Sequence, residues 1–230
     1  MAFDPSKFKA PKVKKLPVIL LLDVSGSMSG EKIETLYDSV TDMLQAFAAA
    51  RRREKMIDVA IITFGAEVSL HTPYTPVDEL RNTGVSRFNA DGMTPMGTAL
   101  QMAKEMIEDK AVTPSHIYRP AVVLVSDGAP NDDWQLPLEN FIHDGRSAKC
   151  QRFAVAIGSD ANRDILRRFC GGDDTLFYAE HASDLVDAFS QISMSVSTRA
   201  ASSNPNQVAT PGKASFDSCA VQDDDDNNYI

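Results

Sequence analysis

The sequence has few cysteines, no long apolar segment and no excess of positive charge, and each absence excludes a class of protein. Its three cysteines, Cys150, Cys170 and Cys219, form no close pair, so they provide neither a disulfide framework nor the spacing of a zinc site. This usage fits a reducing compartment, and we expect a cytoplasmic protein. The net charge of −9 argues against nucleic acid as a main partner, because nucleic-acid binding usually needs a basic face.

The apolar run from Leu16 to Leu22 is far shorter than the roughly 20 residues that cross a membrane, and no other segment approaches that length. Lys12, Lys14 and Lys15 precede this run and imitate the basic region of a signal peptide. The run contains Pro17 and ends at Asp23, so we interpret it as a buried strand. We therefore expect no membrane segment.

The length and composition indicate one globular domain between two charged ends. The chain has 230 residues, of which 43% are hydrophobic, and this is enough for a real core. Residues 1–15 carry five lysines against Asp4 and are predicted to be a flexible basic arm. Residues 200–230 are rich in serine, asparagine, proline and aspartate, and are predicted to be a disordered acidic tail. The domain itself is predicted to span residues 16–199.

The order of the predicted elements indicates the fold class. Short buried strands alternate with amphipathic helices, which is typical of a doubly wound α/β fold. We expect a mostly parallel central sheet with helices on both faces, and one antiparallel edge strand from a hairpin at Gly65-Ala66. The predicted strands are Leu16–Leu22, Ile57–Phe64, Glu67–Thr72, Ala121–Ser126, Arg152–Gly158 and Thr175–Tyr178. The predicted helices begin and end near residues 31–53, 97–110, 138–149 and 162–169, with a short turn at Val77–Leu80 and a final helix capped by Ser183.

The stretch Asp23-Val24-Ser25-Gly26-Ser27 follows the first strand directly. It places a carboxylate and two hydroxyls beyond the carboxyl end of a strand, where open α/β sheets bind their ligands. Carboxylate and hydroxyl oxygens are hard ligands that suit Mg²⁺, Ca²⁺ or Mn²⁺. The alternative is a capped turn, because serine and aspartate commonly begin helices.

Two further loops favour the metal site over the capped turn. Thr94 lies in the loop Asp91–Gly97 before a predicted helix, and Asp127 follows the buried strand Ala121–Ser126. The chain therefore supplies D-x-S-x-S, then a threonine, then an aspartate, each where a loop leaves the sheet.

This pattern resembles the metal-ion-dependent adhesion site (MIDAS) of the von Willebrand factor A (VWA) family. The resemblance covers residues from about 16 to 197, and its ligand positions are filled by Asp23, Ser25, Ser27, Thr94 and Asp127. It implies that the three hydroxyls bind Mg²⁺ directly, with Ca²⁺ or Mn²⁺ as alternatives, and that the two aspartates act mostly through water. It also implies an open coordination position that an acidic residue of a protein partner fills.

Within the family, the run from Leu16 to Glu31 is most similar to the TerY-type tellurium-resistance proteins of bacteria. That resemblance implies a role in tellurite or chemical stress, beside a protein kinase and a PP2C-type phosphatase. The expected function is protein binding and not catalysis. The alternatives are a metal-free scaffold and a Mg²⁺-dependent phosphohydrolase. The sequence has no G-x-x-x-x-G-K-[ST] loop, and Met28 occupies the nucleophile position of a G-x-S-x-G pattern.

Four residues beside these loops form a predicted rim for partner binding, namely Met28, Met93, Met96 and Trp134. Exposed methionines make adaptable contact surfaces, and a tryptophan can anchor a partner. The alternative for the methionines is burial within the loops, and for Trp134 it is cover for a helix start.

Overall fold

Six strands and six α-helices alternate along the described part of the chain, which is residues 14–50 and 55–206 of a computed structural model. The strands are β1 (Lys14–Asp23), β2 (Lys55–Phe64), β3 (Val68–Pro76), β4 (Ala121–Ser126), β5 (Gln151–Ile157) and β6 (Leu176–Ala179). The α-helices are α1 (Glu31–Ala49), α2 (Val77–Thr83), α3 (Met96–Glu108), α4 (Gln135–His143), α5 (Arg163–Cys170) and α6 (Ala182–Ala201). Short 3₁₀ turns occupy Gly26–Met28 and Ser147–Lys149.

The strands form one sheet in the order β3-β2-β1-β4-β5-β6. Every neighbouring pair is parallel except β2 and β3, which are antiparallel. The predicted fold class is therefore confirmed, including the antiparallel edge strand. From β1 the chain turns to β2 and β3 on one side, and it then returns to β4 on the other side of β1. The strand order thus reverses between β1 and β4, which is where open α/β sheets form a ligand crevice.

The core has two layers because the sheet is covered on both faces. Alternate residues of β1 face opposite ways, with Val18 and Leu20 in one apolar cluster and Ile19 and Leu21 in the other. The first cluster includes α1, α2 and α6, and the second includes α3, α4 and α5. Each of these β1 side chains is fully buried, and each contributes about 1.5–3 kcal/mol on burial. None of the helices within the described residues is long and apolar enough to cross a membrane.

Several predicted element boundaries differ from the observed ones for local reasons. The edge strand β3 continues past Thr72 to Pro76, because an edge strand tolerates prolines that donate no ladder hydrogen bond. The predicted helix 138–149 is instead α4 followed by a 3₁₀ turn. The chain breaks there at Gly145, whose φ is +69°, and the Glu108 carboxylate accepts the following N–H groups of Arg146 and Ser147 at 2.7 and 3.1 Å.

The two helix ends predicted from residue type also need correction. Helix α1 ends at Ala49 and not near Arg53, and residues 51–54 lie outside the described part of the chain. Helix α6 begins after His181, so Ser183 is not its cap. Instead, the Asp184 carboxylate accepts hydrogen bonds from the N–H groups of Glu180 and His181 at 3.0 and 2.9 Å. These bonds satisfy backbone N–H groups that have no partner within the helix at its N-terminus.

The described structure extends on both sides of the predicted domain, residues 16–199. Lys14 and Lys15 of the predicted arm belong to β1, where Lys15 pairs with the Asp58 carboxylate at 2.6 Å. Residues 200 and 201 of the predicted tail belong to α6, and residues 202–206 lie in the described structure. The rest of the predicted arm and tail, residues 1–13 and 207–230, lies outside the described residues.

Arg199 attaches this C-terminal segment to the sheet. Its side chain is buried, and its guanidinium donates to the carbonyl oxygen of Pro205 at 2.5 Å, to Oε1 of Gln151 at 3.0 Å and to the carbonyl oxygen of Arg119. The N–H of Arg119 in turn donates to Oδ1 of Asn206 at 3.0 Å. These bonds lie beside the amino-terminal ends of β4 and β5.

We predict that Arg199→Met lowers the free energy of unfolding by about 2–4 kcal/mol, because it leaves three oxygens, two of them buried, without their donor. Urea unfolding measures the loss. The matched control is Arg163→Met, which removes a surface guanidinium 3.6 Å from the Glu180 carboxylate and should cost under about 0.5 kcal/mol. Equal losses in the two variants would contradict the anchoring role of Arg199.

Candidate metal centre

The candidate site lies where β1 and β4 end side by side. Asp23 is the last residue of β1, and Asp127 directly follows Ser126, the last residue of β4. The two strands are parallel neighbours, with Leu22 paired to Val125. Their register brings both carboxylates to the reversal point of the sheet.

The Asp23 carboxylate is completely buried and is held by two hydrogen bonds. The N–H of Ser25 donates to its Oδ1 at 2.9 Å, and the hydroxyl of Ser126 donates to its Oδ2 at 2.6 Å. Burial raises the pKa of the Asp23 carboxyl above its ordinary value, and the two hydrogen bonds partly oppose that rise. A positive charge placed nearby would offset the same desolvation.

A chain of hydroxyls links the two aspartate loops. The Ser25 and Ser27 hydroxyl oxygens are 3.1 Å apart, and the Ser27 hydroxyl donates to Oδ1 of Asp127 at 2.7 Å. The other carboxylate oxygen of Asp127, Oδ2, accepts a bond of 2.5 Å from the ammonium of Lys32. Ser25 and Asp127 are buried, whereas Ser27 is exposed and marks the open side of the site.

The loop that carries Thr94 is fixed to both neighbouring loops. The N–H of Gly26 donates to the carbonyl of Gly92 at 3.0 Å, which joins it to the first loop. The N–H of Thr94 donates to Oδ1 of Asn131 at 2.8 Å, and the N–H of Asn131 returns a bond of 3.2 Å to the Thr94 carbonyl. The Thr94 hydroxyl lies against Gly128, where an added Cβ would be 3.6 Å from Oγ1. The Thr94 hydroxyl therefore lies beside the residue that follows Asp127.

Asp132 fixes the start of α3 immediately after Thr94. Its carboxylate accepts the N–H groups of Gly97 and Thr98 at 3.0 and 2.8 Å, and the hydroxyl of Thr98 at 2.9 Å. Gly97 allows this close approach, because a Cβ there would be 2.7 Å from the Cα of Trp134. A carboxylate at a helix N-terminus is stabilised by the helix dipole. Asp132 therefore holds the Thr94 loop in place.

The arrangement fits a hard divalent cation. The structure brings together two carboxylates and three hydroxyls, Asp23, Asp127, Ser25, Ser27 and Thr94, which are the donors that Mg²⁺, Ca²⁺ and Mn²⁺ prefer. The buried Asp127 carboxylate already binds one cation, the ammonium of Lys32. Within residues 14–50 and 55–206, no group of three or more His, Cys, Asp or Glu side chains is placed to hold a metal. A site here would therefore depend on its hydroxyls.

The predicted rim is only partly accessible. Met93 is 61% exposed, but Met28 and Met96 are fully buried, so the prediction that these two contact a partner is wrong. The physical reason is that local structure turns both side chains into the core. Met28 is the last residue of the first 3₁₀ turn and packs in the layer with α1, and Met96 is the first residue of α3 and packs in the layer with that helix. Trp134 is half-buried against the α3 layer, with the Arg168 guanidinium 6.0 Å from its ring centroid. For Met93 and Trp134 the contact role stays a prediction.

Sequence reasoning missed four residues that build the site. The three loops are held by Ser126, Asn131 and Asp132. The fourth residue, Lys32, donates a hydrogen bond to the carboxylate of Asp127, which is itself a candidate ligand. Ser126 and the two loop residues flank Asp127, so their position near the motif was a usable signal. Lys32 had no such signal, because its place beside Asp127 depends on the direction in which α1 leaves the first loop.

Comparison with known proteins supports this architecture. The sequence model of the von Willebrand factor type A domain matches residues 18–191. No curated protein matches the chain in sequence. A structure of proximal thread matrix protein 1 from the mussel byssus, whose MIDAS motif is occupied by zinc, matches with a TM-score of 0.63 and 16% identity. The match covers 79% of this chain and 48% of that one, so this chain spans about half the length of the mussel protein.

Bacterial and archaeal structures are similar to the same degree. The von Willebrand factor domain of the type V pili tip protein Mfa5 from Porphyromonas gingivalis gives a TM-score of 0.59 at 11% identity, covering 82% of this chain and 97% of that one. The ArnB paralog VWA2 from Sulfolobus acidocaldarius gives 0.58 at 16% identity, covering 82% and 46%. At these identities the structural likeness shows the fold alone.

For protein treated with a chelator at pH 7, we predict that Asp23→Asn raises the urea midpoint of unfolding. The amide removes a buried charge and keeps the side-chain shape. Because burial raises the pKa of the folded Asp23 carboxyl, the folded state binds this proton more tightly than the unfolded state. The resulting stabilisation is present at acid pH and is lost as the pH rises through the folded-state pKa, so the gain from the substitution should grow from acid to neutral pH.

The control is Asp127→Asn, whose carboxylate already has the Lys32 ammonium as a partner and should give no such gain. An Asp23→Asn protein that is less stable than the unsubstituted protein at pH 7 would contradict the prediction.

Proposed function

This chain belongs to the von Willebrand factor type A domain family, and from that membership we propose that it is a metal-dependent protein-binding module. The family often uses a MIDAS metal site for protein interaction. We assign the metal-ligand role to Asp23, Ser25, Ser27, Thr94 and Asp127, with Mg²⁺ as the expected ion and Ca²⁺ or Mn²⁺ as alternatives. The observation that supports the proposal is that hydrogen bonds link Asp23, Ser25, Ser27 and Asp127 at the reversal point of the sheet, with the Thr94 loop anchored beside them.

The chain's own residues have distinct parts in this mechanism. Asp23 is fixed in the buried floor by Ser25 and Ser126, so it supplies charge without moving. Ser27 lies on the exposed side, where a partner approaches. A bound divalent ion supplies a Lewis-acidic position for an oxygen ligand. Because three of the five protein ligands are neutral hydroxyls, that position favours an anionic ligand, and we propose an acidic side chain of a protein partner.

Binding, and not catalysis, is the activity that the site supports best. The side chains that converge on it are ligands and their supports, and each hydroxyl is hydrogen bonded to another ligand or lies against a neighbouring loop. We therefore propose that the protein is not an enzyme. The specific rival is the metal-free scaffold, which the Lys32–Asp127 ion pair favours because it already neutralises one carboxylate.

The narrower proposals rest on the motif around the first strand alone. Its similarity to TerY-type proteins supports a role in a bacterial tellurite or chemical-stress system, with a protein kinase and a PP2C-type phosphatase as partners. The free thiols of Cys150, which is buried, and Cys170, which is half-buried, support a reducing, cytoplasmic location.

We predict that Mg²⁺ or Mn²⁺ binds chelator-treated protein with one-to-one stoichiometry in titration calorimetry. Ser27→Ala should weaken binding at least about tenfold, because it removes a direct oxygen ligand. Asp23→Ala should abolish it. The matched control is Ser29→Ala, since Ser29 lies on the same loop but donates its hydroxyl bond to the Gly26 carbonyl at 2.7 Å and is not a ligand.

Equal affinity in the Ser27 and Ser29 variants would refute the assigned ligand set. If titration of the unsubstituted protein with Mg²⁺, Mn²⁺, Ca²⁺ and Zn²⁺ produces no heat of binding for any of the four ions, the metal-free scaffold is favoured.

We also predict that partner capture requires both the metal and an acidic residue. The test uses the immobilised 230-residue chain with a protein kinase and a PP2C-type phosphatase from the same organism as candidate partners, with Mg²⁺ or with chelator. Capture should be lost with chelator and in Asp23→Ala, and should persist in Ser29→Ala. Capture that is unchanged by chelator would contradict metal-bridged binding.

A further inference from the structure

Lys32 reaches from the surface into the candidate metal centre. It is the second residue of α1, and its side chain is 42% exposed, whereas the Asp127 side chain that it contacts is 0% exposed. The 2.5 Å bond joins its ammonium to Oδ2 of Asp127, on the opposite carboxylate oxygen from the one that accepts the Ser27 hydroxyl. Lys32 therefore places a positive charge at the border between the buried ligands and solvent.

The other side of Lys32 faces open space. It lines a cavity of about 380 Å³ between the carboxyl ends of β5 and β6 and the first turns of α1 and α6. Gly158, Ala179 and His181 are also among the lining residues. A lysine ammonium has three donor hydrogens, and one bond to Asp127 leaves donors that point away from it. None of the five proposed metal ligands lines this cavity, but the 42% exposure of the Lys32 side chain leaves these donors accessible to a ligand beside Asp127.

A carboxylate has two oxygens, and the proposed open coordination position uses one of them. We propose that Lys32 is the second anchor of the partner's carboxylate, donating to the oxygen that does not bind the metal. This inference rests on the proposed metal-dependent function and adds a recognition residue to it. The ammonium keeps its bond to Asp127, so no rearrangement of α1 is needed. A charge-assisted hydrogen bond of this kind is about twice as strong as a neutral one.

From this position, the Lys32 ammonium should weaken one binding step and strengthen the other. Toward a divalent cation, the ammonium is a like charge that shares the Asp127 carboxylate, so it weakens metal binding. Toward the partner's carboxylate, the ammonium is an attractive donor, so it strengthens the second binding step. A residue that only stabilised the fold would not produce this reversal.

The experiment compares Lys32→Met with Lys110→Met in full-length protein. Lys110 is an exposed lysine just beyond the far end of α3, so its substitution removes the same charge away from the site. Titration calorimetry measures Mg²⁺ affinity. Amide NMR shifts at saturating Mg²⁺ and constant ionic strength then measure the affinity for sodium acetate, a minimal carboxylate.

For Lys32→Met we expect Mg²⁺ affinity to rise about tenfold and acetate affinity to fall about tenfold, given the strength of close charge pairs near a protein surface. Lys110→Met should match the unsubstituted protein in both measurements. Lys32→Arg retains a cation and should keep more acetate affinity than Lys32→Met, which separates the donor role from a loss of folding.

Two outcomes distinguish this inference from the proposed function. Acetate affinity that is equal in Lys32→Met and Lys110→Met overturns the role of Lys32 and leaves the metal-dependent function standing. An unsubstituted protein that binds no Mg²⁺ overturns both.

Discussion

The structure around the site depends on one constraint, which is that the carboxylate of Asp23 is completely buried at the end of β1. A buried charge is costly unless it is hydrogen bonded and faces an opposite charge. Ser25 and Ser126 supply the hydrogen bonds, and their places follow from the tight first turn and the register of β1 against β4. The neighbouring loops are then fixed around this carboxylate by backbone bonds. An ionised Asp23 is therefore tolerated most easily when a cation lies among these ligands.

The sequence was sufficient for the fold class because the signals were local. Buried strands such as Ala121–Ser126 are short apolar runs, and amphipathic helices separate them, so the alternation and the sheet type followed. The five candidate ligands were chosen from the sequence through its resemblance to the MIDAS pattern, in which Asp23 and Asp127 follow neighbouring strands and Thr94 precedes a helix. The break at Gly145 was not predictable in the same way. It depends on the Glu108 carboxylate, which lies on another helix and reaches the site of the break only in the folded chain.

The errors in the predicted partner-binding rim are explained by the direction in which two methionine side chains point. Met28 and Met96 flank ligand loops in the sequence, but Met28 ends a 3₁₀ turn and Met96 begins α3, and both side chains pack inward. One methionine enters each core layer, so the loops are held from both sides of the sheet. Of the residues named around the site, Ser27 and Met93 are exposed, and the Lys32 side chain is 42% exposed.

The Arg199 cluster has a consequence for how the domain is connected. Pro205 and Asn206 are held beside the amino-terminal ends of β4 and β5, and the described chain enters the sheet nearby at Lys14. The ligand loops lie at the other pole, the length of a ten-residue strand away, roughly 30 Å. Sequence joined at either end of the domain therefore emerges on the pole that faces away from the loops. An anchor joined directly at residue 14 or residue 206 would therefore hold the domain at the pole opposite the ligand loops.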